Sequence, residues 1–321
     1  MRAVNRDKPN RWKEDTIQSV DMYNKWFIRF APKAYREVRI RTTQDVEKML
    51  IATDNLRKID VALLKTVPAA LPTLRMITSP PLAVDRLIGL SGASANLVKV
   101  MEKEGKLPSR MSSRELGSNL RKINKTIQKM IDPDIFAWLE NDSGPSRQEI
   151  YRAATIVADR LCGAVANPII RNAQEKRQLT VIEKWLKSRG YVKILPGIGT
   201  KYNEMQSGTY SFHLNVPVEQ DQANKSVNVP VDVAVMPRNA KTRKLPLLIE
   251  AKSAGDYTNV NKRRKEEATK MNQLRQTYGR NVQFILFLCG YFDSGYLGYE
   301  AAEGIDWVWE HRVDDLGKFG L

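Results

Sequence analysis

Asp232, Glu250 and Lys252 are the residues of this 321-residue chain whose types and spacing could do chemistry. Asp232 lies in VPVDVAV, and Glu250 and Lys252 close the run LPLLIEAK. Apolar neighbours mark both runs as buried strands. Side chains alternate along a strand, so Glu250 and Lys252 point to the same side. If the two strands pair, two carboxylates and one ammonium converge. A buried carboxylate is costly unless something pairs with it, and two together repel. A divalent cation resolves that conflict: Mg2+ takes one or two carboxylates and keeps water and phosphate oxygens in the rest of its shell. The chemistry expected of such a set is Mg2+-dependent hydrolysis of a nucleic-acid backbone, with the metal polarising the phosphodiester and supplying a bound hydroxide. Lys252 would orient or deprotonate the attacking water, or neutralise the phosphate. The competing use is an internal ion pair with Lys252, and three ionised groups on strands are an expensive way to build a core.

Glu-x-Lys alone carries little. It recurs at Glu104-Gly105-Lys106, a predicted helix end with no apolar strand and no partner acid. Glu250 differs in having an aspartate on a preceding strand and a cationic segment after it. From Ala251 to Arg280 there are eight Lys and Arg (252, 262, 263, 264, 265, 270, 275, 280) against three acids (256, 266, 267), a net +5 of the chain's +16. A helix is expected from about Lys262 to Tyr278, with Thr258, Asn259 or Asn261 as its cap. Lys262, Arg263, Arg264 and Lys265 then crowd its first turn, the wrong end for the helix dipole, at a cost of about 0.3–1 kcal/mol each unless anions offset them. Phosphates arriving there would do so. Asn259, Asn261, Arg263 and Arg264 also carry the donors and acceptors that read adenine and guanine edges. Asn259, Asn261 and the four cations are therefore the candidate DNA contacts. A solvated helix face supported by Glu266 and Lys270, four residues apart, is the alternative. On the helix before the first strand, Glu175 and Glu183 are candidates for a third acid, and Glu175, among polar residues, is the one favoured to reach the site.

Those residues need a sheet with helices around it, and the rest of the chain supplies both. Tyr23, Trp26, Phe27 and Phe30 fall at helical spacing, and TTQDVEKMLIATDNLRKI forms a second helix. Ser112 with Glu115 makes a capping box ahead of Leu116, Leu120, Ile123 and Ile127. Residues 80–108 read as helix, tight turn, helix, with Gly92 in the turn, Gly105 as the C-terminal cap and Pro108 beyond it. This pair is either an ordinary αα-hairpin or a helix-turn-helix that offers Asn96, Lys99 and Lys103 to DNA. Ser146 with Glu149 opens another helix, and a further one ends at Gly190. Beyond it the period changes: YVKIL, TYSFHLNVPV, VNVPVDVAV, LPLLIEAK, VQFILFLCG and IDWVWEH are strand-like. The expected organisation is a mainly α-helical domain over 1–150 and an α/β domain over 151–321. Tyr291, Phe292, Tyr296 and Tyr299 read as core or dimer interface, with stacking on DNA as the other use.

Composition narrows the partners. A net charge of +16 and a pI near 9.7 point to a polyanion, either nucleic acid or an acidic membrane surface, while 42% apolar and 27% charged residues are those of a soluble globular protein. The longest greasy run, VQFILFLCGYF, falls short of the ~20 residues that a spanning helix needs. The segment MRAVNRDKPNRWKED is too polar for a signal peptide. Cys162 and Cys289 cannot make a CxxC site, and His213 and His311 cannot make a His-rich zinc site, so any metal is a hard one held by oxygen. A reducing cytoplasm is the expected compartment.

Asp232, with seventeen residues between it and Glu250-Ala251-Lys252, resembles the PD-(D/E)xK nuclease motif, with Val231 in place of the motif's proline and Pro230 one step earlier. VADRLCGAVANPIIRNAQEKRQL, LPLLIEAKSAGDYTNVNKRRKEEATK, FILFLCGYFDSGYLGYEAAEGIDWVWEHR and DRLIGLSGASANLVKVMEKEGKLP resemble the XamI family of type II restriction endonucleases. That resemblance implies a PD-(D/E)xK core, a mixed sheet flanked by helices. It implies a homodimer that cuts both strands of duplex DNA at a short palindrome of the GTCGAC type, with Mg2+ as cofactor and 5′-phosphate and 3′-hydroxyl ends. A cognate methyltransferase would protect the same site. Asp232, Glu250 and Lys252 carry over as the catalytic set, joined by Glu175, which stands farther from Gly190 than the family's helix acid would. Asp232, Glu250 and the backbone carbonyl of Ala251 would hold the metal. The residues leave two other readings open: a repair nuclease that reads structure, and a DNA-binding regulator in which the helical half reads DNA and the acids are structural.

Overall fold

The computed structural model describes residues 3–141, 144–195, 204–219, 226–240, 245–258 and 260–321, with the side chains of 261–264 outside the description. Helices α1 (Pro9–Ala52), α2 (Val61–Thr66), α3 (Leu71–Met76), α4 (Val84–Ser91), α5 (Ala95–Glu104), α6 (Ser113–Gln128) and α7 (Arg147–Ser188) come first. Strands β1 (Val192–Lys193), β2 (Thr209–Glu219), β3 (Ser226–Val235) and β4 (Leu247–Ala254) follow. Then come α8 (Val260–Tyr278), β5 (Phe284–Gly290), α9 (Ser294–Ala302) and β6 (Asp306–Trp309). The fold is mixed α/β.

The caps expected at Gly105, Ser112 and Ser146 form. Gly92 and Gly105 close α4 and α5 in the left-handed region, at φ 59° and 62°. Ser112 Oγ accepts the Glu115 N–H at 3.3 Å. The Ser146–Glu149 box is reciprocal: Glu149 Oε2 accepts the Ser146 N–H at 2.8 Å, and Ser146 Oγ accepts the Glu149 N–H at 3.3 Å. Two expectations need correction. The paired helices foreseen over the first sixty residues are largely one helix, α1, with Pro32 inside it, and the two foreseen around residue 168 are one helix, α7, with Pro168 inside it. A proline within a helix costs about 3 kcal/mol through a lost hydrogen bond and a clash. Buried residues on both sides of each proline offset that cost: Tyr23, Ala31, Ala34 and Val38 in α1, and Cys162, Ala166, Leu179 and Ile182 in α7.

By compactness the chain forms two units, residues 31–170 and residues 1–30 with 171–321. The first is helical. Its core includes Leu64, Leu71, Leu97, Leu120 and Phe136, and the Arg75–Glu102 and Arg160–Asp132 pairs, at 2.6 and 3.1 Å, tie helices and loops together. On α5, Leu97, Val98 and Met101 face inward while Asn96, Lys99 and Lys103 are exposed.

The second unit is built on a sheet whose described strands run in the order β1-β2-β3-β4-β5-β6. β2 and β4 are antiparallel to β3, and the pairs β1–β2, β4–β5 and β5–β6 are parallel. Every residue of β5 is buried, as a parallel strand covered on both faces requires. Alternation sorts the two faces. Leu248, Leu286 and Leu288 pack with Met271 and Leu274 of α8 and Leu297 of α9. Leu247, Ile249, Ile285 and Phe287 pack with Leu179, Ile182 and Leu186 of α7. The chain's first thirty residues join this unit: Asp306 accepts the N–H groups of Val4 and Asn5 at 2.6 and 3.0 Å, Trp12 meets Trp307 edge-on at 5.5 Å, and Ser19 Oγ accepts the Gly290 N–H at 2.7 Å.

Gly290 ends β5 at φ 104°, and a Cβ there would overlap the Ala254 carbonyl oxygen. Gly290→Ala should therefore cost at least about 3 kcal/mol, read as a fall in thermal midpoint or a loss of soluble protein. Gly89, in the exposed interior of α4 with nothing near its missing Cβ, is the control. Gly89→Ala should stabilise by about 0.5–1 kcal/mol.

Candidate active site

The β3–β4 ladder ends at the pair Val233–Ile249. The next residue along each strand is an acid, Asp232 and Glu250. The alternation that turns Ala234 and Leu248 toward α8 also sends Asp232, Glu250 and Lys252 to that side. Asp232 Oδ2 accepts the Ala251 N–H at 2.7 Å, so its carboxylate lies against the β4 backbone beside Glu250. Lys252 Nζ is 3.1 Å from Glu250 Oε1 and 3.0 Å from Glu267 Oε1. Lys270 Nζ is 2.8 Å from Glu250 Oε1 and donates to the Pro230 carbonyl at 3.1 Å. Charges thus alternate along Lys270, Glu250, Lys252 and Glu267. The Glu266–Lys270 surface pair considered from the sequence is replaced by this inward contact, because Lys270 shares a helix face with the buried Glu267 and Leu274.

Helix α7 supplies the opposite wall. Arg171, Gln174, Glu175 and Gln178 line a cleft of about 280 Å3 together with Asp232, Glu250 and Lys252. Gln178 is buried and donates to the Lys252 and Phe287 carbonyls at 3.2 and 3.1 Å, fastening α7 to β4 and β5. Glu175, His213 and Asp232 bring their ligand atoms within 4.8 Å of one another. His213 stands on β2 in register with Asp232, between the pairs Phe212–Val233 and Leu214–Val231, and its φ is 53°. A non-glycine residue in that region carries a strain of roughly 1–2 kcal/mol. Glu183 lies elsewhere, 3.0 Å from Lys187 and 3.3 Å from Lys193, whose hydrogen bonds hold its carboxyl below the usual range.

The electrostatics follow from this packing. Burial, and then the Glu250 charge, push Asp232 up to about 6 against the hydrogen bond from Ala251. Burial alone would lower Lys252, but the carboxylates of Glu250 and Glu267 outweigh it and hold the ammonium above its usual range. Burial raises Glu267, with Lys252 opposing. Burial, and then the Glu267 charge, push Glu300 of α9 up to about 8.

These donors fit a divalent cation. Glu250 Oε2 is buried with no hydrogen-bond partner, and Asp232 keeps a proton near pH 6 partly because a negative neighbour stands beside it. A cation in the cleft would satisfy the first and discharge the second. Three carboxylates make a hard, oxygen-rich set, with one imidazole beside it.

The other expected residues fall as follows. Asn259 lies outside the described residues. Asn261, Lys262, Arg263 and Arg264 belong to the first turn of α8, their side chains outside the description, and Lys265 is exposed. Phe292 and Tyr296 are core, and Tyr291 packs edge-on against Tyr23 and Tyr257 at 6.0 and 5.1 Å. Glu267, Lys270, His213 and Gln178 were not foreseen. Glu267, Lys270, Met271 and Leu274 recur at helical spacing, a signal that the block of cations before them obscured.

The model of the XamI restriction endonuclease family matches residues 54–309. Over 317 residues the chain is 52% identical to the type II restriction enzyme SalI of Streptomyces albus G, a match covering 99% of each chain. Among solved structures, protein VC1899 from Vibrio cholerae aligns over 81% of this chain and 55% of that one, at 11% identity and a TM-score of 0.28.

Glu300 provides a test of the charge balance behind the cleft. The folded chain keeps its proton up to about pH 8, whereas the unfolded chain releases it near the ordinary value of 4.5. Between those values rising pH favours the unfolded state. Wild type should lose stability relative to Glu300→Gln over that window, by up to about 1.4 kcal/mol per pH unit, and run parallel to it above the window. Urea midpoints of both proteins from pH 5 to 9 check this; a constant difference would contradict it.

Proposed function

Because the chain belongs to the XamI restriction endonuclease family, we propose that the cleft between β3, β4, α7 and α8 is where it hydrolyses both strands of duplex DNA. The chain is a type II site-specific deoxyribonuclease. The observation that carries the assignment of its active site is the convergence of Asp232, Glu250 and Lys252 at the end of the β3–β4 ladder, with Glu175 on the facing helix. That convergence supports reading the cleft as a PD-(D/E)xK centre.

Asp232, Glu250 and the Ala251 carbonyl would hold the metal in this reading, and Glu175 would add a carboxylate from α7. A bound Mg2+ supplies positive charge to the phosphate oxygens and a more acidic water. Lys252, held as an ammonium by its carboxylate neighbours, serves as a donor to the phosphate and its attacking water rather than as a base. Water attack with departure of the 3′-oxygen leaves 5′-phosphate and 3′-hydroxyl ends. Asn259, Asn261 and the cations 262–265 meet DNA at the start of α8, and Asn96, Lys99 and Lys103 offer a further contact from α5. We place the enzyme in the bacterial cytoplasm as a homodimer on a short palindrome of the GTCGAC type, paired in function with a methyltransferase for the same site.

Plasmid cleavage with Mg2+ tests the centre. Wild type should yield discrete fragments, and Asp232→Asn and Lys252→Ala should each slow cleavage by about 10²–10⁴-fold. Equal cleavage by all three proteins would remove the assignment. Replacing residues 262–265 with alanine should weaken binding and lower the slope of log K against log[salt] by roughly 1 for each cation seated on a phosphate. An unchanged slope would take the start of α8 out of the interface.

A further inference from the structure

We propose that Glu267 is the positioning residue that holds the Lys252 ammonium in the cleft while DNA is cut. This rests on the reading above that Lys252 serves the cleavage centre. Glu250 cannot fix Lys252 by itself, because its Oε1 is shared between Lys252 at 3.1 Å and Lys270 at 2.8 Å. Glu250 also belongs to the donor set for the cation, and positive charge gathered on it weakens its hold on both lysines. The two lysines then differ. Lys270 has, among the described residues, only the Pro230 carbonyl besides Glu250. Lys252 keeps Glu267 at 3.0 Å.

Glu267 is built for a fixed role. It is 0% exposed, and its neighbours Ala268, Met271 and Leu274 bury the same helix face. A carboxylate on a packed helix cannot follow a lysine into solvent, so the ammonium must stay where the carboxylate is. Burying that charge is costly, and its one ion-pair partner among the described residues is Lys252. Glu300, behind it, holds its proton at neutral pH and so does not compete for the ammonium. Glu267 therefore anchors Lys252 from the core side, while Glu250 faces the cleft.

A double-mutant cycle on the full chain tests this against a purely structural ion pair. Glu267→Gln should lower the single-turnover cleavage rate by about 10²-fold, the scale of a misplaced catalytic group. Its affinity for site-containing duplex in Ca2+, read by fluorescence anisotropy, should stay within about threefold of wild type, because the change touches positioning and not DNA contacts. In a Lys252→Ala background the same substitution should alter the residual rate by less than about threefold, since no ammonium is left to place. Glu267→Asp keeps the charge but withdraws it by one methylene, and should fall between Glu267→Gln and wild type. It carries the test if Glu267→Gln does not fold. A wild-type rate in the variant that folds overturns the proposal, as does an equal loss with and without Lys252. If Lys252→Ala itself cuts like wild type, the reading of Lys252 fails and takes the proposal with it.

Discussion

Opposite charges buried where two strands part form the constraint from which the cleft takes its shape. Asp232 and Glu250 are the first residues beyond the paired part of the β3–β4 ladder, and the Ala251 N–H left there is taken up by the Asp232 carboxylate. No buried carboxylate is stable without compensation. The chain compensates with two lysines and one main-chain N–H, and burial raises Asp232 to about 6. Each is a weaker partner for this pair of acids than a divalent ion. The resting charges are thus balanced without the metal, and the balance leaves room for it at Glu250 Oε2.

Much of this was legible in the sequence because strands write their geometry plainly. Alternation put Glu250 and Lys252 on one side, and the apolar setting of Asp232 marked it as a carboxylate needing a partner. All six strand-like runs form strands of one sheet. What stayed hidden depends on three-dimensional approach. Glu267 and Lys270 belong to a helix whose first turn is so cationic that the whole segment reads as surface, yet its next turn faces the sheet. His213 was set aside with His311 as unable to make a His-rich zinc site, but a mixed cluster needs only one histidine. The long helices were read as pairs, whereas burial along their whole length, on both sides of Pro32 and Pro168, keeps each one continuous.

Helix α7 also shows how one element serves two purposes. By length and composition it is apolar enough to cross a bilayer. Its apolar residues instead build cores: Ala153, Ala154 and Val157 in the helical unit, and Leu179, Ile182 and Leu186 beneath the sheet. The polar residues between them, Glu175 and Gln178, reach the cleft and the strand backbone. Length and composition alone do not distinguish such a helix from a membrane span.

The sheet-bearing unit is assembled from both ends of the described chain, and this has a consequence during synthesis. Residues 31–170 have all emerged from the ribosome before most of the sheet is made. The other unit cannot close until Asp306 is available to receive Val4 and Asn5, and Trp307 to receive Trp12. A half-made chain therefore carries Asp232, Glu250 and Lys252 on a sheet still lacking its last strand. The sheet that carries the cleft residues is therefore complete only once β6 has been made.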